Sequence, residues 1–296
     1  MRKGIVILAS ALFALVSCAP GNEAPKKDIG VQLYSIREMI GNPELYAKNH
    51  EVVFQKLQEY GYNSVEAACY NDGKLYGISP EQYKADLEAY GLKSMSTHIG
   101  KALSAEELAS GDFTESMKWW DQAIAAHKAA GCEYIVTPSF PVPDNLKDLK
   151  TYCDYFNAVG KKCAENGILY GYHNHSHEFN KVEDQVVYDF MLQNTDPEYV
   201  FYEMDVYWTC MGRQYPVEYF KKYPGRFKLL HIKDYRELGQ SGMVGFDAIF
   251  GNAALAGVQD IVVEIEAFSK DWEDGMKACA DYLLNSDFVK ASYPAE

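Results

Sequence analysis

Four pairs of ionisable residues stand two positions apart in the chain: His173 and His175, Glu203 and Asp205, His231 and Lys233, Glu264 and Glu266. Three of the pairs sit inside apolar runs, Phe-Tyr-Glu-Met-Asp at 201–205, Leu-His-Ile-Lys-Asp at 230–234 and Val-Glu-Ile-Glu-Ala at 263–267. A strand alternates its side chains between two faces, so each pair shares a face. A buried charge without a partner is costly, and such groups persist when they are paired or hold a metal. Carboxylates and imidazoles converging from separate strands supply the oxygen and nitrogen donors a divalent cation takes. Taken singly, a Glu or His in a strand is more often half of an internal salt bridge, and Glu264 could pair with Lys233 or Arg37. Asp205, His231 and Glu266, near the carboxyl ends of three consecutive strands, form the candidate metal set.

The elements that must position them recur along the chain. Short β-rich runs cover 29–35, 64–70, 93–99, 133–140, 168–175, 200–208, 227–235 and 260–268, with starts about 27 to 40 residues apart, the length of a βα unit. The segments between carry helical spacing, as with Leu146, Leu149, Cys153, Phe156 and Val159, and several end in glycine, at Gly61, Gly91, Gly131, Gly167 and Gly257. Eight strand–helix units without a long linker predict an α/β fold, a single (β/α)8 TIM barrel over residues 28–296. An open doubly wound sheet is the competing architecture, but no GxGxxG follows the first strand. In a barrel the chemistry gathers at the carboxyl ends of the strands. That rule adds Gln32, Glu66, His98, Thr137, Asn174, His177, Glu178 and Asp234 to the candidates. Aromatic residues at the same ends, Tyr34, Tyr70, Phe140, Tyr207, Trp208, Tyr235 and Phe268, suit the C–H faces of a sugar.

Composition narrows the partners. The chain has 296 residues, 48% hydrophobic and 24% charged, with a formal net charge of −14, which excludes a disordered chain and disfavours nucleic acid. Residues 1–17 have the parts of a signal peptide: Arg2 and Lys3, an apolar run from Ile5 to Val16, then Ser17. That run is shorter than the roughly 20 residues of a spanning helix. Leu15-Val16-Ser17-Cys18 resembles a bacterial lipobox, which implies lipidation of Cys18 and an exported protein held to a membrane by that anchor alone. Residues 18–27 are read as a flexible tether. The six remaining cysteines show no framework spacing and are expected to be mostly free and buried.

Gly30-Val31-Gln32-Leu33-Tyr34-Ser35, Tyr172-His173-Asn174-His175, Met204-Asp205, Leu230-His231-Ile232-Lys233-Asp234 and Val263-Glu264-Ile265-Glu266-Ala267-Phe268 resemble the xylose isomerase-like barrel superfamily, and within it the sugar phosphate isomerase/epimerase branch. The resemblance spans residues 28–285 in strand order. It implies a divalent ion (Mn, Co, Mg or Zn) held by Glu, Asp, His and Glu from strands five to eight. Asp205, His231 and Glu266 match the last three. Strand five departs from the pattern, and either Glu178 or His175 fills the first place; Glu178 is favoured, leaving His175 as an acid/base. His-Asn-His on this strand also resembles inosose dehydratases and 3-keto-glycoside eliminating enzymes.

The implied activity is a metal-dependent sugar isomerase or epimerase acting through an enediolate, formed by removing a proton next to a carbonyl. The catalytic candidates are His175, Glu178, Glu266 and Lys233, and the substrate-binding candidates are Glu66, His98, His173, Tyr207 and Trp208. Loss of a β-substituent from the same ligands gives the alternative, a keto-sugar dehydratase or 3-keto-glycoside lyase. Two other classes compete: a non-catalytic carbohydrate-binding lipoprotein, and a metal-dependent hydrolase, including the endonuclease branch, whose nuclease version the net charge of −14 disfavours. The partner is a small sugar or glycoside, with a homo-oligomer possible and no Gly-rich loop for phosphate.

Overall fold

The computed structural model describes residues 26–293; residues 1–17, read as a signal peptide, Cys18 and most of the segment read as a tether lie outside them. Eight parallel strands form one sheet: β1 (Gly30–Gln32), β2 (Ser64–Ala67), β3 (Lys93–Thr97), β4 (Tyr134–Thr137), β5 (Leu169–His173), β6 (Val200–Asp205), β7 (Leu229–Lys233) and β8 (Asp260–Glu264). Neighbours in sequence are neighbours in the sheet, and β1 pairs with β8. The remaining seam, between β3 and β4, is drawn together by Glu133 N–H donating to Met95 O at 2.9 Å and Ile99 N–H to Val136 O at 2.9 Å. The result is a nearly closed barrel with helices outside, as the repeat predicted.

Helices alternate with the strands, among them α1 (Pro43–Tyr60) and α2 (Pro80–Glu88), then α3 (Thr114–Ala129) and α4 (Leu146–Glu165). Local chemistry sets their ends. Asn42 and Asn145 cap α1 and α4 through their side-chain oxygens, and Pro43 fills the first turn of α1. Gly61, Gly91, Gly131, Gly167 and Gly257 all adopt positive φ just before the next strand. Leu149, Cys153, Phe156 and Val159 form the buried stripe of α4. The six cysteines within the described residues are free. No helix among the described residues is long and apolar enough to cross a membrane.

Alternation along the strands builds the barrel interior in layers. At the amino end Met95, Tyr134, Val136, Phe201, Leu229 and Val262 form an apolar plug. Two residues further on, the same faces carry Glu203 on β6, His231 on β7 and Glu264 on β8, all buried. Another step of two brings Asp205 and Lys233. The plug is tightly fitted: a Cβ on Gly171 of β5 would stand 2.5 Å from the Phe201 ring. Gly171→Ala is therefore expected to cost about 1–3 kcal/mol in chemical denaturation, through overpacking beneath the polar layers.

Outside the barrel, His127 of α3 is fully buried, with Nδ1 2.7 Å from Ala123 O and Nε2 unpartnered. Burial pushes its pKa down to about 4. The fold thus prefers the neutral ring, while the unfolded chain takes up a proton near pH 6.5. This contribution is complete above about pH 6.5 and is lost as pH falls toward 4, amounting to about 3 kcal/mol. Urea melts at pH 7 and pH 5 should show a smaller loss for His127→Leu than for the unsubstituted chain.

Candidate metal centre and active site

Asp205 ends β6 and starts the short helix Val206–Met211. Its Oδ1 accepts the Trp208 N–H at 2.7 Å, which leaves Oδ2 buried and without a hydrogen-bond partner. Register places Asp205 beside His231 on β7. His173, at the end of β5, has neither ring nitrogen hydrogen-bonded, and its Nε2 lies 3.6 Å from Asp205 Oδ2. Glu264 Oε2 lies 3.3 Å from His231 Nδ1. Each of His173, Asp205, His231 and Glu264 offers a donor atom within 4.8 Å of the others, and all four side chains are buried. Buried polar atoms are normally satisfied, so vacant lone pairs on two neighbouring residues fit a cation.

Burial drives Asp205 up to about 7, against the pull of Lys233, and burial with the neighbouring His231 and His98 drives His173 well below the usual histidine range. His231 goes the other way. Burial works against its charge, but Glu203 and Glu66 outweigh that and hold it well above the usual value.

Beneath this group, Glu66 on β2 accepts from Gln32 Nε2 at 2.7 Å and lies 2.7 Å from His231 Nε2 and 3.0 Å from His98 Nε2. Glu203 Oε2 stands 2.7 Å from the same His98 nitrogen. Burial pushes both carboxyls up, yet His98 and His231 carry Glu66 well below the usual range, whereas Glu203, facing the Glu66 charge, stays raised. His98 is lifted to about 9 by these two carboxylates, against its burial. The arrangement is a charged scaffold that orients the His231 ring.

At the mouth, Lys233 Nζ is 2.7 Å from Glu266 Oε1, 3.0 Å from Glu264 Oε2 and 3.9 Å from Asp205 Oδ2. Burial works against the ammonium, but Asp205, Glu264 and Glu266 raise its pKa above the ordinary lysine value. The Trp208 ring lies 4.9 Å from Nζ, with its centroid 5.9 Å from that of His175. His175, on the loop after β5, is pushed down to about 4 by burial, His177 and Lys233, and its Nδ1 has no partner. His98, His173, His175, Glu264, Glu266 and Tyr34 help line a cavity of about 370 Å³, toward the low end of small-molecule sites at roughly 300–1,000 Å³.

The structure brings Asp205 and His231 together as the strand pattern expected, but neither Glu178 nor Glu266 joins their group. Glu178 belongs to the loop after β5. It accepts the Tyr172 O–H and the His175 N–H, lies 3.3 Å from His177 Nε2, and is raised in pKa by burial. Glu266 lies past the end of β8 with its side chain 37% exposed and paired to Lys233. The other two donors grouped with Asp205 and His231 are His173, read from sequence as a substrate-binding residue, and Glu264, read as a possible salt-bridge partner. Strand parity was the available signal for Glu264, since it shares a face with Glu266 one layer deeper. Glu203 received no role from sequence and proves to be the second carboxylate of the His98 scaffold. Of the aromatic candidates, Tyr34 and Tyr235 are exposed, Tyr207 is buried against Trp208, and Tyr70 instead packs on Trp119 and His127.

Comparison with known proteins agrees with the barrel. The family model described as xylose isomerase-like TIM barrel matches residues 54–285. Two solved structures from Parabacteroides distasonis ATCC 8503, each a sugar phosphate isomerase/epimerase, superpose with a TM-score of 0.81. One is 36% identical, covering 89% of this chain and all of its own; the other is 33% identical, covering 92% and 98%. An inosose dehydratase from Geobacillus kaustophilus is 24% identical over 200 residues, 62% of this chain, and the match spans 61% of that protein's length. An L-ribulose 3-epimerase shares the fold, with a TM-score of 0.67 at 14% identity, covering 86% of this chain and 93% of its own. The chain belongs to the xylose isomerase-like TIM barrel family.

Proposed function

We propose that the protein is a divalent-metal-dependent sugar isomerase or epimerase, with His173, Asp205, His231 and Glu264 holding the ion. The observation that carries this reading is the convergence of four buried donors, with Asp205 Oδ2 and both His173 nitrogens unpartnered, beside a sugar-sized cavity. When bound, such an ion polarises a carbonyl and the adjacent hydroxyl, which acidifies the carbon between them. His175 lines the cavity and takes the carbon-bound proton as a neutral imidazole. Glu266, 2.7 Å from the Lys233 ammonium, is the second group placed to hold or return a proton at the mouth. Tyr34 supplies an apolar wall for the C–H face of the sugar, and Trp208 backs His175 and Lys233.

A second reading, elimination from a keto-sugar or 3-keto-glycoside, is favoured by two observations. The β5 donor is a histidine, where the isomerase pattern has a glutamate, and a partial relative is an inosose dehydratase. One experiment separates them: incubating Mn2+-loaded protein with free sugars and with 3-keto-glycosides in deuterated water, followed by NMR. Deuterium at a carbon next to the carbonyl with the sugar intact supports isomerisation or epimerisation, and release of a leaving group supports elimination. No exchange and no release with any substrate overturns both. Export and a lipid at Cys18 belong to the same proposal, and labelling with radioactive palmitate, lost in Cys18→Ala, tests them.

A further inference from the structure

Lys233 sits where a cation already serves the acidic group. Its ammonium reaches two of the four candidate metal donors, Glu264 at 3.0 Å and Asp205 at 3.9 Å, and one carboxylate outside them, Glu266 at 2.7 Å. We propose that Lys233 is a tethered placeholder, which balances Asp205 and Glu264 in the ion-free protein and passes wholly to Glu266 when a divalent ion enters. The inference rests on the metal reading of the four-residue group.

Three features support it. An ammonium and a divalent ion drawn to the same buried carboxylate oxygens repel each other strongly, so the two cannot share Glu264 Oε2 without cost. Buried carboxylates with no cation nearby are costly as well, so an ion-free group needs a substitute charge. The alternative partner is already in contact: moving Nζ off Glu264 while keeping Glu266 requires only rotation within a flexible four-carbon stem. The Trp208 face, 4.9 Å away, accompanies that path and keeps the displaced charge in a favourable place. Glu266 then has a definite role without being a ligand, as the site to which the lysine withdraws.

The test is Mn2+ binding to the metal-stripped full chain, measured by titration calorimetry. Lys233→Met should bind Mn2+ about tenfold or more tightly than the unsubstituted chain, and its ion-free form should melt at a lower temperature. Lys233→Gln serves as a second variant where methionine disturbs the packing against Trp208. Glu266→Gln should weaken Mn2+ binding several-fold, because the ammonium is left with Glu264 and Asp205 alone. In the Lys233→Met background, Glu266→Gln should change nothing. Lys233 variants that bind Mn2+ no more tightly overturn the placeholder. So does a Glu266→Gln effect that persists without the lysine, which would make Glu266 a direct ligand. Absence of Mn2+ uptake in every protein overturns the metal reading itself, an outcome distinct from normal uptake with no gain on removing the lysine.

Discussion

Asp205→Asn is expected to abolish stoichiometric Mn2+ binding and to lower sugar-dependent proton exchange by about a thousandfold, roughly 4 kcal/mol of barrier. The reason lies in how the two carboxylate oxygens divide their work. Oδ1 caps the helix Val206–Met211 through the Trp208 N–H, whereas Oδ2 faces His173 and Lys233 without a hydrogen bond. Asparagine can present its carbonyl oxygen to the Trp208 N–H and so keep the cap. What it loses is the anionic donor. Burial holds the Asp205 carboxyl up to about 7, so ionising it at neutral pH costs the ion-free fold stability relative to the unfolded chain. The variant should therefore melt no lower than the ion-free parent at neutral pH while failing to gain stability from Mn2+, because only a native-state ligand shifts the melt. A melting temperature that still rises with Mn2+ would show that Asp205 is not a ligand. A collapse of the ion-free fold would place its role in the helix cap instead.

The strand pattern carried most of what the barrel needs, because eight apolar runs bounded by glycines leave few other ways to bury themselves. Their ends were less legible. The run at 200–208 is continuous in composition, yet β6 stops at Asp205, since that side chain can cap a helix and thereby ends the ladder. Likewise Gln32 accepts the Tyr34 N–H and turns the chain at residue 33, although the sequence remains apolar there. These early stops shift the depth at which each polar residue sits. Glu266 was read as the ligand from its place nearer the carboxyl end, but β8 ends at Glu264, which leaves Glu266 past the strand and half-exposed. Glu178 was drawn in as a carboxylate just past β5, but Tyr172 and the His175 N–H hold it on its own loop. His173 was the less obvious donor, because chain order puts it one layer below His175 but does not say at which layer the donors of the other strands converge. Same-face pairing is legible from spacing alone; depth along the barrel axis depends on where each ladder breaks, which side-chain capping decides.

That distinction of depth separates the roles of His173 and His175, and it predicts a large effect for His175→Gln. His175 lies one layer above His173, their ring centroids 4.9 Å apart, on the cavity wall and outside the four-donor group. Its N–H is held by Glu178 and its ring lies near Trp208, so its position is fixed by neighbours other than a metal. With its pKa pushed down to about 4, the ring is neutral at physiological pH, the state a base requires. Glutamine preserves the backbone contact to Glu178 and much of the volume, but has no nitrogen lone pair that can take a proton. Proton exchange from substrate should fall by about 10² to 10⁴, the usual worth of a positioned acid or base, while Mn2+ affinity stays within about threefold. The loss should appear in kcat with little change in KM, since the sugar is held by other residues. His173→Gln is expected to show the opposite order, with Mn2+ affinity falling first and exchange following it. Should His175→Gln instead lose Mn2+ and activity together, His175 would be a ligand, and the proton would have to be taken by Glu266 across the cavity.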